Sequence, residues 1–196
     1  MPEIPSSSLT AMVAVFGLLV LATASRLILA ARNSDKDYTE LRQRVQSWWW
    51  IVGSIFVVLT VSRGVAITFF GFLSFMALKE FLSIVPTRHA DRRVIFCAYL
   101  AIPMQYYWVY IGWYGMFIGF VPVYLFLFLP MRTVLIDETV GFIKSVALLH
   151  WAVMLTVFCL SHVAYLLTLE PLNADAGSIG LVLFLLFSTQ FNDICQ

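Results

Sequence analysis

At 196 residues, 61% hydrophobic and 12% charged, with a mean hydropathy of +0.90, the chain is excluded from the soluble class and reads as a polytopic membrane protein. Its net charge of +1, with no basic run beyond Arg92-Arg93, gives no reason to expect nucleic acid as a partner. The cysteines Cys97, Cys159 and Cys195 are widely spaced in or beside apolar segments and read as buried free thiols, without a zinc pattern or a disulfide framework.

The N-terminus, M-P-E-I-P-S-S-S, lacks the positive flank of a signal peptide, so the first apolar segment is expected to remain as a membrane helix. That segment runs from Leu9 to about Leu29, with Ser6 to Ser8 placed to cap it and Arg26 able to snorkel outward. Ala31 to Gln46, the one long hydrophilic run, reads as a surface loop or short interfacial helix. Trp48-Trp49-Trp50 then belongs at the headgroup boundary and starts a second span ending near Val61. Ser62 and Arg63 make a tight connection into a third span, Gly64 to Leu78, and the two short segments look like a helical hairpin. In the third, Gly71, Ser74 and Ala77 form a small-residue stripe suited to close helix packing. Lys79 and Glu80 follow it and, being adjacent, point to different sides of a helix.

Pro86 to Arg93 reads as a basic, water-facing loop. A fourth span covers about Val94 to Ile111, with Pro103 as a kink and Tyr106, Tyr107, Trp108 and Tyr110 clustered at its far end. The fifth, Gly115 to Leu129, is interrupted by Pro122 and closed by Pro130, so it either crosses or re-enters. A sixth runs from Val140 to about Leu169. Within it His150 and His162 stand more than three turns apart, too far to share a metal ion from one helix, and read as hydrogen-bonded packing histidines. Leu169 to Ser178 is a turn into the last span, Gly180 to Gln196, whose end carries Asn192 and Asp193. An acidic group there is either a site residue or the point where the helix meets water.

With about seven spans, the cations alternate by loop. The first loop has Arg32, Lys36, Arg42 and Arg44, the third has Lys79, Arg88, Arg92 and Arg93, and the fifth has Arg132 and Lys144. These odd loops hold ten of the twelve Lys and Arg, which predicts an N-terminus outside and a cytoplasmic Asp193. The same rule puts Glu80, Asp137 and Glu138 at the cytoplasmic face and Glu170 and Asp175 outside. The expected architecture is an all-α, polytopic membrane helix bundle, N-out and C-in, forming a single domain over residues 1–196.

Four phrases carry a resemblance. They are R-V-Q-S-W-W-W-I (Arg44 to Ile51), F-F-G-F-L-S-F-M-A-L-K-E-F (Phe69 to Phe81), M-L-T-V-F-C-L-S-H-V-A-Y-L-L (Met154 to Leu167) and the terminal L-F-L-L-F-S-T-Q-F-N-D-I-C-Q. Together they resemble the N-terminal two-thirds of the phosphatidate cytidylyltransferase family, the CDP-diacylglycerol synthases, and look closest to a shorter bacterial branch. The resemblance implies synthesis of CDP-diacylglycerol and pyrophosphate from CTP and phosphatidic acid, with Mg²⁺, in the bacterial inner membrane, and it admits a homodimer. It also implies that Asp193 is an acidic residue near the metal and nucleotide site, while assigning no other catalytic or substrate-binding residue. The family's later polar loop and its lysine-, glycine- and aspartate-rich signature are not in this sequence, so the chain is expected to be an incomplete N-terminal portion, inactive by itself. A non-catalytic membrane interaction or transporter-like protein is the alternative, although no internal repeat supports transport.

Overall fold

The computed structural model describes residues 6–32, 39–85, 92–135, 141–170 and 176–195, and the regular structure in them is helical throughout. Asp137, Glu138, Asp175, residues 33–38 of the hydrophilic run and residues 86–91 of the basic loop lie outside the described residues. The helices are α1 (Ser6–Arg32), α2 (Thr39–Val61), α3 (Arg63–Ile84), α4 (Arg92–Ile111), α5 (Tyr114–Gly119), α6 (Phe126–Val134), α7 (Phe142–Val153), α8 (Leu160–Leu166) and α9 (Gly177–Cys195). A π-helical stretch, Phe120–Leu125, joins α5 to α6, and another, Met154–Cys159, joins α7 to α8. The described residues therefore form seven continuous rods. Six, Ser6–Ile28, Arg42–Val61, Arg63–Ile84, Arg92–Ile111, Tyr114–Val134 and Phe142–Leu166, are long and apolar enough to cross a membrane.

Several boundaries differ from expectation, each for a local reason. The hydrophilic run does not stay a loop up to Gln46: α2 begins at Thr39, because T-E-L-R-Q-R-V-Q is made of good helix formers. The third helix is longer than its apolar part, running through Lys79 and Glu80 to Ile84. Pro122 does not interrupt the fifth rod. Proline lacks an N–H and crowds the carbonyl four residues back, and the wider π-helical turn accommodates both defects without breaking the rod. Pro130 likewise lies inside α6, which continues to Val134. The last helix starts at Gly177 rather than Gly180.

The chain divides into two compact units: unit 1 is Met1–Ser62 with Glu170–Gln196, and unit 2 is Arg63–Leu169. The division falls in the Ser62-Arg63 connection, so α2 and α3 belong to different units. In unit 1, α1 packs against both α2 and α9. Trp49 fixes the first pairing: its Nε1 donates to Thr23 Oγ1 at 3.0 Å and its ring meets Phe16 edge-on at 4.9 Å. The second is fixed by Ser8, whose hydroxyl donates to the Ala176 carbonyl. Gly180 sits at that crossing, where a Cβ would lie a tight 3.3 Å from Ser8 Oγ and 3.0 Å from Ala176 Cβ, so a larger residue would make its neighbours shift.

In unit 2, α4 packs against α3 and against both of the following rods. The small-residue stripe of α3 behaves as its spacing predicts. Ser74 is buried and shares a 2.8 Å hydrogen bond with Tyr106 OH, and the Tyr106 ring lies over Gly71. At its other end α4 stops in a Schellman motif: Gly112 N–H donates to Val109 O, Trp113 N–H donates to Trp108 O, and Gly112 has φ of 72°. A side chain at that φ is strained, and this left-handed turn starts α5.

Candidate functional site

Asp193 and Asn192 lie exposed in the last turn of α9. Glu80 and Lys79, near the end of α3, are exposed as well. Among the described residues no group of three His, Cys, Asp or Glu is placed to hold a metal ion.

A buried polar network among the described residues lies in unit 2, beside the π-helical stretches. Gln105 of α4 is fully buried, and its Nε2 donates to Phe117 O at 3.1 Å and to Ser161 Oγ at 3.2 Å. Because a carbonyl can only accept, this contact fixes which end of the amide faces Phe117. Ser161 Oγ donates in turn to Phe158 O at 2.7 Å, and His162 Nδ1 lies 2.8 Å from the same carbonyl. The same reasoning puts the His162 proton on Nδ1. Thr156 Oγ1 donates to Ala152 O at 2.7 Å. Side chains bonding to main-chain carbonyls compete with the i to i−4 ladder, which gives the Met154–Cys159 stretch a local reason to widen.

Aromatic rings close over this network. Phe117, fully buried, stacks on Tyr165 at 4.4 Å and on Phe158 at 6.3 Å, and its ring lies 4.7 Å from that of His162. His162 is therefore the packing histidine its position suggests. His150 departs from that reading in part. Its ring meets Phe126 edge-on at 4.7 Å, but its buried Nδ1 has no hydrogen-bond partner among the described residues. The cysteines are free, as expected, but not all buried: Cys97 is half-buried, and Cys159 and Cys195 are exposed. Burial by protein fails for them because apolar side chains of membrane helices are solvated equally well by lipid.

Gln105, Tyr106 and the Trp49–Thr23 pair escape a reading of the sequence by segment. One signal was available for Gln105, since an amide in mid-span has to find a partner.

Comparison with known proteins bears on what this scaffold serves. Residues 42–196 match the cytidylyltransferase family. The chain belongs to that family. It is also 36% identical over 182 residues to the uncharacterized protein YnbB of Escherichia coli (strain K12), an alignment covering 93% of this chain and 59% of YnbB. The chain thus spans under two-thirds of the length of this curated relative. No solved structure matches it. Family membership, apolar helices and the resemblance read from the four sequence phrases agree: this is an integral membrane member of the cytidylyltransferase family.

Proposed function

We propose that the chain supplies the membrane scaffold, and one site carboxylate, of a phosphatidate cytidylyltransferase. In that reaction a phosphate oxygen of phosphatidic acid attacks the α-phosphorus of CTP, forming CDP-diacylglycerol and expelling pyrophosphate, a step of phospholipid biosynthesis. In this reading residues 1–196 form one membrane domain and all seven rods cross the bacterial inner membrane, N-out and C-in. Asp193 then faces the cytoplasm, where CTP is available. Mg²⁺ at phosphate sites commonly keeps water and phosphate oxygens around one or two carboxylates, and Asp193 is assigned as one of these. The observation that carries the proposal is the family match across residues 42–196, whose last helix ends on this exposed carboxylate.

The test is transfer of label from α-phosphate-labelled CTP into lipid, in membranes given phosphatidic acid and Mg²⁺. A chimera with this chain in place of the matched 182 residues of YnbB is expected to form labelled CDP-diacylglycerol, as is YnbB itself. The chain alone, with Asp193 as its one assigned site carboxylate, is expected to form none. In the chimera Asp193→Asn is expected to lower the rate by roughly ten- to a hundredfold at unchanged protein level, because the side chain is exposed. Inserted chimera and YnbB that both leave the lipid unlabelled would overturn the proposal. That result would favour the non-catalytic membrane protein.

A further inference from the structure

The two ends of unit 2 differ in chemistry. One end collects the start of α3, the Gly112 turn between α4 and α5, and the end of α8. There a Cβ on Gly64 would lie 3.8 Å from the Tyr110 ring, and the ring of Tyr114 meets that of Tyr165 at 5.7 Å. Tyr107, Tyr110, Trp113 and Tyr114, all toward this end, are each more than half exposed. Tyr106, by contrast, is turned inward and shares its hydroxyl with Ser74. The other end carries the cations. Among the described residues of unit 2, Lys79, Arg92, Arg93, Arg132 and Lys144 lie toward it, and Arg63 alone lies at the aromatic end.

We propose that the aromatic end is a docking surface for the headgroup layer of one leaflet, and that it holds unit 2 at a fixed depth with the cations at the opposite interface. The proposal rests on unit 2 lying in a membrane and not on the transferase reaction. Side-chain chemistry is the first argument. Each exposed ring has an apolar body and a polar tip, a hydroxyl on the tyrosines and an N–H on Trp113, which suits the boundary between hydrocarbon and water better than either phase alone. Exposed leucines or phenylalanines would be solvated anywhere in the hydrocarbon and would fix no depth. Distance is the second. Arg93 to Tyr110 along α4 is 17 residues, Tyr114 to Arg132 along the α5–α6 rod is 18, and Lys144 to Tyr165 along the α7–α8 rod is 21. At 1.5 Å per residue these are about 26, 27 and 32 Å, three measures that bracket a hydrocarbon core of roughly 30 Å. Each rod therefore brings a cation and a ring to opposite interfaces, with the stems of Arg and Lys able to extend further. The turn is the third argument. Gly112, at φ of 72°, reverses the chain at the level of these rings, and a chain that reverses at one interface has to cross the bilayer to bring Arg132 to the other. The fifth rod is thus a full crossing and not a re-entrant segment.

The experiment reads depth by tryptophan quenching in the full chain, reconstituted in phosphatidylcholine vesicles whose acyl chains carry bromine either near the headgroup or near the chain end. The signal of Trp113 is taken as the difference between the chain and Trp113→Phe. Trp151 serves as the deep reference through Trp151→Phe, since it is exposed on α7 about 10 Å along the helix from Lys144. Shallow bromine is expected to quench Trp113 at least twofold more than deep bromine, and Trp151 is expected to show the reverse order. Trp113→Tyr, which keeps an amphipathic ring, gives the same difference should the phenylalanine variant fail to insert. The same ratio at both tryptophans would overturn the proposal, as would a Trp113 that no brominated lipid reaches because water, a second copy or another protein covers it. No CTP enters this measurement, so an absence of CTP transfer would count against the proposed function alone.

Discussion

The two units are both built from apolar helices, yet they are held together to different degrees. In unit 1 only 11% of the apolar window of α1, and likewise of α2, is buried, against 39% for α4 and 28% for α3 in unit 2. Hydropathy does not account for this, since α1 is more apolar than α4. Lipid solvates a leucine as well as a neighbouring helix does, so apolar surface alone does not pull membrane helices together. Close packing and hydrogen bonds do. Unit 2 has Ser74 on Tyr106 and Gln105 on both Ser161 and the Phe117 carbonyl, bridging three rods. Unit 1 has two anchors on α1, Trp49 on Thr23 and Ser8 on Ala176, and between the helices they hold it keeps an open cleft.

Substitutions in each unit can break this contrast, and the half-buried thiol of Cys97 reports on unit 2. The largest effect is expected from Phe117→Ala, which removes a fully buried ring stacked on Tyr165 and Phe158 and leaves a cavity. A loss of about 3 kcal/mol is expected in denaturant titration of the bilayer-reconstituted protein, with faster modification of Cys97. Gln105→Leu comes next. It keeps the volume but removes the only donor shown for the Phe117 carbonyl from α4, and a cost of about 1–2 kcal/mol is expected by the same titration. An unchanged midpoint would mean that the brace does not distinguish unit 2. The smallest effect belongs to Trp49→Phe. It keeps a ring against Phe16 and deletes one interhelical hydrogen bond, so roughly 0.6 kcal/mol should be lost in the same titration, with modification of the half-buried Cys97 of unit 2 unchanged.

Much of the helical framework was legible in the sequence because a bilayer imposes a length and a composition on whatever crosses it. The six candidate spans coincide with apolar segments apparent in the chain, and the stripe of Gly71, Ser74 and Ala77 marked a packing face. The ends were less legible. Helical propensity carried α2 and α3 into polar residues that hydropathy assigned to loops, and Pro122 and Pro130 were absorbed rather than obeyed. The candidate site was read only as Asp193 at the end of a helix, because a carboxylate announces itself in an apolar chain while its neighbours in space do not.

What the sequence determined by itself is the environment and the family: 61% hydrophobic residues require a membrane, and the phrases from Arg44 onward identify a cytidylyltransferase-family chain. Tertiary structure decided which helices pair, that Gln105 braces unit 2, and that α1, α2 and α9 leave a cleft between them. The physical reason is that pairing in lipid depends on a few hydrogen bonds and close approaches between residues far apart in the chain, such as Ser8 with Ala176. No local periodicity encodes those meetings.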